Sequence, residues 1–95
     1  MIEVSVRKDR ITVTGHSGYA ASGSDIVCAG VSALFQTLTK SILELTDDRI
    51  SYSIAPGTSN MTYGNLSEKS RTLVDSFFIG VSMVAGEYPD YVRIT

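Results

Sequence analysis

The sequence predicts an α+β fold: a two-layer sandwich with two helices on one face of a mostly antiparallel sheet, in the order ββαββα. Three observations predict it. Apolar and polar residues alternate at Ile2/Val4/Val6, Ile11/Val13, Ile50/Tyr52/Ile54 and Met61/Tyr63, the period of half-buried strands. Two longer stretches carry apolar residues at helical spacing. Turn residues stand between the blocks: Lys8-Asp9-Arg10, Thr46-Asp47-Asp48, Pro56-Gly57 and Tyr88-Pro89-Asp90.

Taken in order, Ile2 to Val6 and Ile11 to Val13 form a hairpin about a polar turn. Gly15 to Ser24 then breaks all periodicity with Ser17, Gly18, Ala20, Ala21, Ser22, Gly23 and Ser24. A loop of this length in a small chain is expected to bind or cover something. A first helix is predicted from about Asp25 to Leu45, capped by Ser24 or Asp25, with Val27, Val31, Leu34, Leu38, Ile42 and Leu45 as its apolar stripe. A strand pair follows around Pro56-Gly57. Asn65 and Glu68 have the spacing of a capping box, and the second helix should run to about Ala85 and stop at Gly86. Its apolar residues, from Leu73 to Val84, cover more than one stripe. That surplus predicts a homodimer. Tyr91 to Ile94 adds a short edge strand.

With 95 residues, the chain is read as a single domain, 1–95. Its 43% hydrophobic content is that of a globular protein. A net charge of −2 without a basic block argues against direct nucleic-acid binding. No apolar run is expected to cross a bilayer, and the first residues alternate like a strand rather than a signal peptide, so the expected location is the cytoplasm and no membrane partner is expected. One cysteine and one histidine exclude an internal disulfide and disfavour a zinc site, so neither metal nor cofactor is expected.

Chemical content concentrates in Gly15-His16-Ser17-Gly18-Tyr19-Ala20 and Ser24-Asp25-Ile26-Val27-Cys28-Ala29, which hold that one histidine and that one cysteine. By composition alone the default readings are a small buried thiol and a solvated turn histidine. Position argues for more. Cys28 falls in the first turn of the helix, where free N–H groups and the helix dipole favour the reactive thiolate. His16 leaves the second strand where it can cross to that helix start and act as proton donor and acceptor. The N–H groups of the same turn are candidates for holding an oxyanion. Ser32, four residues on, shares the helix face of Cys28. Asp25 reads as a cap, and Tyr19 as an anchor for the loop.

The same residues, from Gly15 to Ala20, with Gly23 and Asp25-Ile26-Val27-Cys28-Ala29-Gly30-Val31-Ser32-Ala33-Leu34, resemble the ribosomal-processing cysteine protease Prp family. The resemblance runs over nearly the whole chain, including the tail Gly86-Glu87-Tyr88-Pro89-Asp90-Tyr91. It implies a small α+β homodimer that removes the short N-terminal extension of large-subunit ribosomal protein twenty-seven, cutting after hydrophobic, typically aromatic, residues. It implies Cys28 as nucleophile and His16 as general acid/base. Gly15, Asp25 and Ser32 match supporting positions, Gly15 by permitting a tight backbone beside the histidine. Two alternatives stand beside this reading: a phage-related capsid-maturation protease, and a non-catalytic module that binds a ribosomal precursor.

Overall fold

The computed structural model describes residues 1–21 and 23–95; Ser22 of the Gly15–Ser24 loop lies outside the described residues. The elements run β1 (Ile2–Val6), β2 (Arg10–Thr14), α1 (Ile26–Leu45), β3 (Ile50–Ala55), β4 (Thr58–Tyr63), α2 (Glu68–Glu87) and β5 (Val92–Ile94). The sheet order is β3-β4-β2-β1-β5. Every neighbouring pair is antiparallel except β1 and β5. The fold is the α+β sandwich expected, with β5 as the edge strand that makes the sheet mixed.

Register explains why one face is buried. Cross-strand partners share a face. Val4 pairs with Val13 and Val6 with Ile11. Ile11 pairs with Met61, and Met61 with Tyr52. Ile2 and Val4 pair with Val92 and Ile94. The alternation seen in the sequence therefore becomes one continuous apolar surface. The opposite face carries Ser5, Thr12, Asn60 and Ser53 in register and meets solvent.

The helices close the apolar side. α1 buries Val27, Val31, Phe35, Leu38, Thr39 and Ile42, and α2 buries Ser70, Val74, Phe77 and Val81. Phe35 and Phe77 meet edge to face at 6.1 Å. Burial of an aromatic ring such as Phe35 contributes on the order of 1.5–3 kcal/mol. Coverage is incomplete at the β3 edge, where Tyr52 and Ile54 face the helices yet stay 48% and 44% exposed.

Several local expectations need correction. Phe35, not Leu34, is a buried member of the α1 stripe, and Leu45 is exposed. Leu34 instead packs half-buried at the edge of the core. The α2 cap is Ser67, whose side chain accepts from Ser70 N, and not Asn65. The helix also passes through Gly86 and ends at Glu87, because Gly86 does not take the left-handed conformation that would stop it. Finally, α1 is a helix long and apolar enough to cross a membrane by length and composition. Its inward residues pack against the sheet instead.

Candidate active site

α1 begins on a carboxylate. Asp25 adopts extended backbone (φ −83°, ψ 98°), and its Oδ1 accepts from Val27 N at 3.0 Å and Cys28 N at 2.9 Å. Two of the amides that a helix start leaves unpaired are thereby satisfied. The cap places Cys28 in the first turn, half-buried, with its side chain on the wall of a cleft of about 380 Å³. It also narrows the oxyanion expectation, because the Val27 and Cys28 amides already bond the Asp25 carboxylate.

The other Asp25 oxygen, Oδ2, accepts from the Ser17 hydroxyl. That bond foremost, and then the Cys28 amide, hold the Asp25 carboxyl down at about 2, with desolvation opposing them. Asp25 is ionised at any physiological pH. Ser17 is 4% exposed in a loop whose other residues from Gly15 to Ser24, where described, are exposed. Its backbone N–H points at Cys28 Sγ, 3.3 Å away. Its Oγ accepts from Tyr19 N at 3.0 Å. The Tyr19 ring then stands edge-on to Tyr88 and Tyr91, with centroids 5.6 and 5.2 Å away.

His16 enters the cleft from the end of β2. Gly15 turns the chain at φ +91°, and a Cβ there would collide with the Met1 carbonyl oxygen. Its N–H donates to Gly57 O at 2.9 Å, tying the loop to the β3–β4 turn. No other residue type fits both the conformation and the space. The imidazole rests against that same turn: a Cβ on Gly57, which has φ +75°, would come within 2.8 Å of His16 Nε2. The Met1 amino group donates to the His16 carbonyl oxygen. His16 and Cys28 thus share one cleft, the imidazole from the hairpin side and the sulfur from α1.

Ser32 lines the cleft but bonds neither group; its Oγ accepts from Gln36 Nε2 at 2.8 Å. Among the described residues no three His, Cys, Asp or Glu side chains converge as metal ligands. Of the residues singled out in the sequence, Gly15, His16, Asp25, Cys28 and Ser32 all fall at this end of the molecule. Ser17, Gln36 and Gly57 also belong to it, although sequence reasoning does not mark them as site residues. Gly57 is visible there as a turn residue, but its closeness to His16 depends on a strand pairing that spacing does not encode.

A thiol in a first helical turn and an imidazole lining the same cleft are residue types that cysteine-protease chemistry uses. The sequence profile of the family described as cysteine protease Prp matches residues 1–93, and the chain belongs to that family. It is 21% identical over 108 aligned residues to the ribosomal processing cysteine protease Prp of Bacillus subtilis, covering 100% of this chain and 96% of that protein. The Prp protease of S. aureus, solved with a covalently linked product peptide, superposes with TM-score 0.89 at 20% identity, over 99% of this chain and 95% of that one. The same S. aureus protease with a substrate peptide gives TM-score 0.83 at 19% identity and the same coverage.

Proposed function

We propose that this protein is the endopeptidase that removes the short N-terminal extension of large-subunit ribosomal protein twenty-seven, with Cys28 as nucleophile and His16 as general acid/base. The observation that carries the assignment of roles is the shared cleft, with the imidazole braced by the Gly57 turn and the sulfur delivered by the Asp25-capped helix. The Cys28 thiolate attacks the carbonyl carbon that follows an aromatic side chain. A carbon–sulfur bond forms and the carbonyl electrons move to oxygen. Collapse breaks the carbon–nitrogen bond, and the His16 imidazolium gives its proton to the leaving amine. His16 then takes a proton from water, which opens the thioester and frees the thiol. The imidazole has no hydrogen bond to Cys28 among the described residues, and the peptide that enters between them completes the array.

The cleft is suited to an extended apolar segment. Val31 and Phe35 line its helix side and Ile54 its hairpin side. The partner in this reading is the precursor's N-terminal segment, met in the cytoplasm without direct nucleic-acid binding. The working form is a homodimer, supported by the exposed α2 residues Phe78, Ile79 and Met83 at 43%, 61% and 71%. A peptide spanning the extension should be cut once by the wild type and not by Cys28→Ala. An intact peptide with wild type would leave binding without cleavage, and undiminished cutting by Cys28→Ala would place the nucleophile elsewhere. Light scattering at micromolar concentration should return twice the 10.2 kDa chain mass. A monomer would contradict the assembly.

A further inference from the structure

Ser17 is the one buried residue of the exposed Gly15–Ser24 loop as far as that loop is described. Its polar groups explain it. The amide N–H reaches the sulfur of Cys28 at 3.3 Å. Its Oγ accepts from Tyr19 N at 3.0 Å, so the hydroxyl hydrogen is left to donate to Asp25 Oδ2. One residue therefore touches the reacting atom with its main chain and the neighbouring carboxylate with its side chain.

The electrostatics of the sulfur make both contacts matter. The charged and titratable groups about Cys28 are the Asp25 carboxylate at the helix cap and the His16 imidazole across the cleft, with the Met1 amino group behind the His16 carbonyl. The hairpin wall from Ile54 to Ser59 contributes no charge. Asp25 is an anion beside a group that must itself become an anion, and like charges oppose each other. The Ser17 hydroxyl draws carboxylate charge toward itself, and the Ser17 amide offers the sulfur a donor. The Val27 and Cys28 amides cannot supply that donor because Asp25 Oδ1 holds them.

We propose that Ser17 is a further residue of the active site: its backbone amide binds the sulfur of Cys28, and its side chain positions that amide by tying the loop to Asp25. The amide touches the reacting atom and is catalytic; the hydroxyl acts through the amide and Asp25 and is a positioning group. Tyr19, held between Tyr88 and Tyr91, fixes the loop from behind. The consequence for turnover rests on the protease reading, but the consequence for the free thiol does not.

The test is the rate of iodoacetamide alkylation of the full chain as a function of pH, with Ser17→Ala, and with Ser17→Gly in case the first variant folds poorly. Both keep the amide and lose the hydroxyl. At pH 7 each is expected to react about fivefold slower than wild type, the scale of one net intramolecular hydrogen bond. The gap should close as pH rises well above the range in which a free cysteine thiol ionises, about 8.5. In peptide cleavage kcat should fall by a similar factor while KM holds. Wild-type alkylation rates at pH 7, or a deficit equal at every pH, would overturn the proposal, since the second signals altered access alone. If the wild type cuts no peptide while Ser17→Ala still slows alkylation at pH 7, the protease reading fails and the role of Ser17 stands. If the wild type cuts the peptide and Ser17→Ala alkylates at the wild-type rate, the protease reading stands and the role of Ser17 fails.

Discussion

The two helices begin with the same chemistry and put it to different use. At the start of α1, Asp25 caps the helix and a loop serine, Ser17, donates to its free oxygen. At the start of α2 the roles are exchanged. Ser67 caps the helix, and Asp48 from the α1–β3 connection accepts from both its amide (3.0 Å) and its hydroxyl (2.6 Å). Both carboxylates are held below their ordinary range, foremost by a serine hydroxyl. The difference lies in what the next turn presents. Behind Ser67 comes Ser70, fully buried and bonded to Thr46 at the end of α1, so this cap seals one helix to the other. Behind Asp25 comes a half-buried thiol facing an open cleft and an imidazole. A serine–aspartate cap is a structural device; the group it holds at the cleft decides whether it also serves chemistry.

The largest expected effect separates the two ends outright. His16→Ala should lower kcat by about 10²–10⁴-fold with the melting temperature unchanged, measured on the extension peptide. Next comes the Gly57 turn. Gly57→Ala adds a Cβ 2.8 Å from His16 Nε2 at a left-handed φ, and should lower cleavage by about tenfold to a hundredfold. Gly57→Asn tolerates that φ but also carries a Cβ. Equal loss in both variants assigns the effect to the displaced imidazole, whereas an active Gly57→Asn assigns it to backbone strain. At the structural end the pattern reverses. Ser67→Ala should lower stability by about 1 kcal/mol in denaturant unfolding and leave kcat/KM unchanged.

The smallest effect is in acid. Asp25 and Asp48 have lower pKa values folded than the roughly 3.9 of an unfolded aspartate, so below that value the unfolded chain binds more protons. Their stabilising contribution is full above about pH 4–5 and fades as pH falls through the folded values, about 2 for Asp25. Asp25→Asn and Asp48→Asn should each flatten the stability–pH curve in that window. If only Asp48→Asn flattens it, the α1 cap does not hold the folded state together.

The fold is legible in the sequence because the sheet is amphipathic along its strands. Ile2, Val4, Ile11, Met61 and Tyr63 fall on the alternating apolar positions, and all are buried. Helix ends are less clear: Asn65 offers the right spacing, and Ser67 wins by also reaching Asp48. At the site, Cys28, His16 and Asp25 stand out because each is a chemically distinct residue next to a recognisable boundary. Ser17 and Gly57 do not, because their roles depend on where the loop and the β3–β4 turn come to rest, and those positions follow from long-range pairing. The surplus apolar surface of α2 is legible in kind: Phe78, Ile79 and Met83 remain exposed after the core is filled.

The central claim is that Cys28 carries the peptide during cleavage. Rapid quenching of the wild-type protein with a peptide bearing an aromatic residue before the scissile bond, followed by mass spectrometry of the digested protein, tests it directly. The account predicts that the acyl group of the N-terminal fragment appears on the segment containing Cys28, and that the adduct is lost in Cys28→Ala together with all cleavage. Cleavage without an adduct on Cys28, or an adduct on any other residue, would contradict it.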